Sequence, residues 1–270
     1  MKFIHLTDPH LTAAGSLFDI DVCERLRQAV ASINHHHGDA EMVMVTGDIA
    51  HWGEPGAYDH AAEIFAEFTM PWYPLAGNHD KKPAYFEGLP MAPRDDGDRT
   101  CFHLETSGGL FLVLDTAIDG QPEGELDDVQ LAWLDQKLSE SDRSAFLFMH
   151  HHPMISGISA LDQIKLENSD ALAAVIDRHP GQISHLFFGH MHRTFHGSWR
   201  GLPFSTVKST AHQVTAEIHS DLPLVSSREM PAYAVVLIDD DAICIHDISY
   251  LEEDKAFTYD RDSGKPSQSM

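Results

Sequence analysis

The feature that most constrains this chain is one construction used repeatedly: an unbroken apolar run that stops at a cluster of aspartate, asparagine or histidine. "KFIHLTDPH" ends at Asp8 and His10, and "EMVMVTGDIAHWGE" passes from Met42–Val45 to Asp48. "MPWYPLAGNHD" reaches Asn78, His79 and Asp80, and "AFLFMHHHP" reaches His150. "SHLFFGHMH" passes from Leu186–Phe188 to His190 and His192, and "LFLVLDT" ends at Asp115. Large or β-branched residues in runs without alternation suit strands that are covered on both faces.

Helical periodicity lies between these runs. Val22, Leu26, Ala29, Val30 and Ile33 recur at spacings of three and four, with Gly38 placed to cap the C-terminus. Tyr58, Ala61, Ala62, Phe65 and Phe68 form a second stripe, and Val129, Trp133, Leu134 and Leu138 a third, opened by Asp127 or Asp128. Leu172, Val175 and Ile176 form a fourth, closed by Pro180-Gly181. Strands alternating with helices predict an α/β protein, helices flanking a mixed sheet. Ligands of open α/β sheets bind beyond the carboxyl ends of the strands, where every polar cluster here falls. The C-terminal part reads differently. "YAVVLIDDDAICIHDIS" is two alternating runs around Asp239–Asp241, a hairpin, while residues 212–231 read as irregular, a cap or an interface. Residues 251–270 read as a polar, frayed tail.

Composition narrows the function. With 42 acidic against 18 basic residues the formal charge is −24, which disfavours nucleic-acid polymers and anionic membrane surfaces as partners. No window approaches a membrane span, and no export signal is read at the N-terminus. Three widely spaced cysteines argue for reduced thiols and a cytoplasmic protein. The unusual count is 20 histidines, the commonest metal-ligand type.

The strand ends supply Asp8, His10, Asp48, Asn78, His150, His190 and His192. Hard oxygen mixed with imidazole suits Zn²⁺, Mn²⁺ or Fe²⁺/Fe³⁺, and thiolates are absent from the set. Seven ligands exceed the needs of one ion but fit two that share a carboxylate, roughly 3.5–4 Å apart. Side chains at i and i+2 of an extended strand end point the same way, which would aim Asp8 with His10, and His190 with His192. Gly47, Gly77 and Gly189 precede expected ligands and are read as permitting sharp turns.

In this order, "DPH", "GDIAHWGE", "GNHD", "HHHP" and "GHMH" resemble the motifs of the calcineurin-like metallophosphoesterases. The likeness is to the branch of class III cyclic-nucleotide phosphodiesterases and bacterial glycerophosphodiesterases. A later "STAHQV" at residues 209–214 resembles the glycerophosphodiesterase side. The resemblance implies a four-layer α/β/β/α sandwich of mixed β-sheets flanked by helices. It implies a catalytic core over residues 1–208, a cap or hairpin over 209–250 that completes the domain, and a homo-oligomer joined through C-terminal segments. Asp8, His10 and His192 would hold one metal and Asn78, His150 and His190 the other, with Asp48 bridging. His79 would stand beside the substrate, with Asn78 and His212 also touching it. The family pattern has two histidines before proline where this chain has three, so His151 is the alternative to His150. The implied reaction is hydrolysis of a small phosphodiester, a cyclic nucleotide such as cAMP or a glycerophosphodiester. A hydroxide bridging the two cations would attack phosphorus, with His79 and His212 as hydrogen-bond or proton donors. The alternatives are a phosphomonoesterase of the same superfamily and a non-catalytic metal-binding module.

Other residues are weighed against plain structural roles. Trp52 is a stacking platform for a base or head group, or core packing, and Phe18 is a weaker candidate for the same role. His35-His36-His37 read as solvated residues favoured by a helix dipole. Asp115 reads as a structural hydrogen-bonding residue, and His5 as core or as a support of the ligands. The role of His51 is open.

Overall fold

The computed structural model describes residues 1–219 and 223–251, so the tail expected at 251–270 lies, from 252 onward, outside the described residues. Two mixed sheets carry the fold. The first contains β1 (Lys2–Leu6), β4 (Val43–Thr46), β5 (Trp72–Leu75), β14 (Tyr233–Ile238) and β15 (Ile243–Ile248), in the order β15-β14-β1-β4-β5. The second contains β6 (Phe102–Glu105), β7 (Leu110–Val113), β8 (Ala145–Met149), β9 (Ile183–Phe188), β10 (Phe195–Trp199) and β11 (Leu202–Thr206), in the order β10-β11-β9-β8-β7-β6. Both have parallel centres: β1-β4-β5 in one, β7-β8-β9-β11 in the other. Two small ribbons complete the strands, β2 (Ser16–Leu17) with β3 (Ile20–Asp21) and β12 (Gln213–Val214) with β13 (Ser226–Ser227).

The apolar runs lack alternation because each strand is covered twice. On β4, Val43 and Val45 face the helices while Met44 faces the other sheet; on β8, Leu147 faces helices while Phe146 and Phe148 turn inward. Between the sheets Phe148 and Phe187 stack at 5.0 Å, and Phe3 meets Phe111 edge-on at 5.1 Å. Helices α1 (Val22–His37), α2 (Pro55–Phe65) and α3 (Lys82–Gly88) lie on the first sheet. Helices α4 (Asp128–Ser139), α5 (Ser159–Asp162) and α6 (Ser169–Ile176) lie on the second. The layering is therefore α/β/β/α, as expected.

Details depart from the sequence reading. Gly38 does cap α1, but in the right-handed conformation (φ −59°), so the cap does not exploit glycine's freedom. Asp127 caps α4 by accepting from the Gln130 N–H. Val129 is exposed and Gln130 is buried in its place, because the Gln130 side chain closes both backbone hydrogen bonds of Asp115. Phe68 lies beyond α2, and α6 ends before Pro180-Gly181. The alternating C-terminal runs form the β14–β15 hairpin, and β14 pairs antiparallel with β1, so this segment belongs to the first sheet. Among the described residues no helix is long and apolar enough to cross a membrane.

Candidate metal centre

The loops after β1, β4 and β5 of one sheet and after β8 and β9 of the other converge at one end of the sandwich. The expected mechanism of convergence, side chains aligned on extended strands, is not the one found. Asp8, His10, Asp48, His190 and His192 all lie past their strands with φ between 44° and 68°. Half of the non-glycine residues with positive φ among those described are thus these five. Such conformations cost of order 1–3 kcal/mol each and gather at functional sites.

Glycine admits the close approaches. A Cβ on Gly77 would stand 2.2 Å from Asp48 Oδ1, and one on Gly189 would stand 2.3 Å from Thr7 Oγ1. Neither has positive φ, so both are needed for space, whereas Gly47 (φ 93°) combines a turn with its approach to the His150 ring.

The seven expected ligands are brought together, all but Asn78 buried. Asp8, His10, Asp48 and His192 form one group: His10 Nε2 lies 2.9 Å from His192 Nε2 and 3.3 Å from Asp48 Oδ2, and His192 Nε2 lies 3.4 Å from Asp8 Oδ1. In the other group, Asn78 Oδ1 lies 3.0 Å from His150 Nε2 and 3.1 Å from His190 Nδ1. Asp48 stands between them, its Oδ1 3.4 Å from His150 Nε2 while its Oδ2 faces His10. Each group draws on both sheets.

Hydrogen bonds on the far sides of the rings select tautomers. A carbonyl oxygen only accepts, so His150 Nδ1 donates to Thr46 O (2.8 Å) and His192 Nδ1 donates to His212 O (2.8 Å). Both Nε2 atoms are then bare in the neutral rings and face other acceptors. His151 differs: its ring nitrogens are engaged by Thr116 Oγ1 and Pro122 O, although it also lies close enough to His150 and His190 to group with them around one ion. Burial opposes charge on His150, yet Asp48 raises its pKa to about 9. Burial would likewise raise Asp48, but His150, then His79 and His10, hold it well below the usual carboxylate range. Burial first, and then mainly neighbouring histidines, push His10 and His190 far down. Converging lone pairs of oxygen and imidazole nitrogen around one carboxylate are a donor set that fits divalent cations.

At the mouth, His79 Nδ1 donates to His51 O (2.7 Å), leaving Nε2 as its free nitrogen, and the His79 N–H binds Asp48 Oδ1. The His212 ring lies 4.5 Å from His192 and its buried Nδ1 has no partner. Trp52 is 60% exposed, edge-on to His51 at 4.8 Å, which removes the core-packing reading. Phe18, 53% exposed, sits edge-on to His212 at 5.1 Å.

Sequence reasoning passed over the supports. Asp80, buried, accepts from the backbone of Ile49, Ala50 and Gly77 and from the Tyr58 hydroxyl, tying the Asp48 and Asn78 loops together. Its place inside "GNHD" was the available signal. His5 leads through Thr46 Oγ1 and Thr7 Oγ1 to Asp8 Oδ2 by steps of 2.8, 2.8 and 2.6 Å, a support rather than inert core. Asp115 is structural, binding the Thr100 and Ala117 N–H groups and Lys82.

A two-sheet sandwich with one carboxylate set between two imidazole groups at its strand ends has the architecture of a metal-dependent phosphoesterase. The chain belongs to the calcineurin-like phosphoesterase family, whose profile matches residues 1–194. It is 39% identical over 263 residues to a probable cyclic nucleotide phosphodiesterase of Rhodopseudomonas palustris, covering 96% of each chain. It is 30% identical over 220 residues to the glycerophosphodiester phosphodiesterase GpdQ of Enterobacter lignolyticus, covering 79% of each. Among solved structures, a purple acid phosphatase of yellow lupin matches with a TM-score of 0.65 at 12% identity, covering 99% of this chain and 52% of that one, a likeness of fold.

Proposed function

We propose that the protein is a binuclear metal-dependent phosphodiesterase acting on small diesters, either cyclic nucleotides or glycerophosphodiesters. The observation that carries it is Asp48, whose two oxygens each face a different imidazole group at 3.3 and 3.4 Å. Similarity to a probable cyclic nucleotide phosphodiesterase and to a glycerophosphodiester phosphodiesterase supports a diester as substrate.

Asp8, His10 and His192 would hold one ion, Asn78, His150 and His190 the other, and Asp48 both. Two divalent cations there would supply Lewis acidity, polarising the phosphoryl oxygens and acidifying the attacking water. The protein's own contribution is placement. His79 is held through Nδ1 by the His51 carbonyl, which leaves Nε2 to hydrogen-bond the phosphate or hand a proton to a departing alkoxide. His212 has a different role: burial, then His192, lowers it to about 2, so it stays neutral and offers only a hydrogen bond. Trp52 and Phe18 flank the mouth and present faces on which a base or head group can stack.

The test is hydrolysis of bis-p-nitrophenyl phosphate against p-nitrophenyl phosphate after chelation and restoration of Mn²⁺. Faster turnover of the diester is expected; faster turnover of the monoester would replace this reading with a phosphatase. Cyclic AMP, 2′,3′-cyclic nucleotides and glycerophosphocholine assayed side by side then fix the substrate class.

A further inference from the structure

Three ring nitrogens on the outer side of this site meet a backbone carbonyl, His150 with Thr46 O, His192 with His212 O and His79 with His51 O, while the buried Nε2 of His190 meets no partner. His10 differs from all of these. Its Nδ1 lies 2.9 Å from Nδ1 of His51, an imidazole in place of a carbonyl. Between two ring nitrogens one proton is shared out in one of two ways. If His51 donates, His10 accepts at Nδ1 and must carry its own proton on Nε2, the atom turned toward Asp48 and His192. If His10 donates, Nε2 is bare and can bind a cation. A carbonyl permits only the second arrangement, because it cannot donate; an imidazole permits both.

Further contacts hold His51 in place. Its ring stacks on that of His79 at 4.9 Å and 21°, and Trp52 meets it edge-on at 4.8 Å. Its backbone N–H donates to Leu11 O at 2.8 Å, and its carbonyl takes the His79 proton at 2.7 Å. One residue thus touches an expected ligand with its side chain and the expected proton donor with both its ring and its main chain.

We propose that His51 is a positioning residue of the centre: its Nδ1 accepts the His10 Nδ1 proton, and so keeps His10 Nε2 free to bind the ion shared with Asp8, Asp48 and His192. The inference rests on the two-metal reading above and gives a role to the His51 side chain, of which that reading uses only the backbone carbonyl. Partners that orient a ligating histidine typically affect metal affinity by about 10- to 100-fold. His51 acts on one ion of the pair only, since His150 and His190 are not among its contacts.

The experiment is calorimetric titration of Mn²⁺ into metal-free protein, comparing wild type, His51→Phe and His51→Asn. Phenylalanine keeps the stacked ring and removes the acceptor; asparagine loses the ring and restores an acceptor oxygen. Wild type should show two binding events. His51→Phe should weaken one of them about 10- to 100-fold and leave the other unchanged. His51→Asn should return the weakened event to near its wild-type affinity. Thermal unfolding of each metal-free variant checks the fold, and His51→Leu carries the same expectation should the phenylalanine variant not fold. Two unaltered events in His51→Phe would overturn the inference alone, and so would equal weakening of both, or an asparagine variant no better than phenylalanine. Fewer than two events in wild type would overturn the two-metal reading and this inference with it.

Discussion

Replacing Gly77 by alanine isolates one structural claim, that the site depends on an approach between two loops which leaves no room for a methyl group. The added Cβ would stand 2.2 Å from Asp48 Oδ1, 2.5 Å from Asp48 N and 2.8 Å from Asp48 Cγ. Gly77 does not have positive φ, so alanine introduces no backbone strain of its own. The backbone nitrogen of Asp48 cannot withdraw without moving its loop, and the carboxylate must retreat by most of an ångström to reach an ordinary contact. That carboxylate is the group shared between the two imidazole clusters. A misplacement of about 1 Å at a reacting centre costs on the order of 100-fold in rate, about 2.7 kcal/mol of transition-state stabilisation. Overpacking of this kind also lowers stability by about 1–3 kcal/mol. The assay is kcat for bis-p-nitrophenyl phosphate with saturating Mn²⁺, alongside a urea titration. Gly120→Ala is the control: its φ of 77° strains an alanine, but nothing lies within 4 Å of the added Cβ, so stability should fall while kcat holds. A Gly77→Ala enzyme with kcat within about threefold of wild type would refute the steric argument, since the same 1 Å shift should cost about 100-fold.

Other outcomes follow from the same geometry. Asp48→Asn should cut diesterase activity by at least about 10³-fold while far-ultraviolet circular dichroism is unchanged; an active variant contradicts the shared-carboxylate role. Tyr58→Phe removes the hydroxyl that donates to Asp80 and accepts from the Lys81 N–H, and should lower stability by about 2 kcal/mol, read as a fall of about 4–8 °C in Tm, with little change in kcat. Burial holds His5 near pKa 3 and His51 and His185 near 4, so all three stay neutral in the folded chain while their unfolded counterparts take up protons below about 6.5. Stability of the metal-free protein should therefore fall as pH drops from 6.5 toward 5, despite the opposing contributions of Asp80, raised to about 6 by burial and then Asp48, and of His150 and His192, raised against burial by Asp48 and Asp8 respectively. Urea midpoints that are flat over that range would contradict this assignment.

Much of the fold was legible because burial writes itself into composition. Strands packed on helices outside and on a second sheet inside have no polar face, and the runs at Met42–Val45 and Ala145–Met149 are accordingly unbroken. Short elements were not legible: β6, β10 and β11 are partly exposed and mix polar with apolar residues, and α3 and α5 are too brief for a period to show. The candidate site was legible as a set of residue types at strand ends. Its geometry was not, since the convergence of Asp8 with His10, and of His190 with His192, depends on left-handed backbone that no spacing rule encodes. Asp80 escaped notice for a related reason. Its partners are mainly main-chain N–H groups, which leave no mark on a sequence.

Each imidazole group takes members from both sheets, so a cation held by either one would rivet the two halves of the sandwich together. The ions would then serve as fasteners as well as reagents, with each contributing stability that grows with the logarithm of its free concentration. A cell short of metal would accordingly be expected to lose the protein itself to proteolysis, and not merely its turnover.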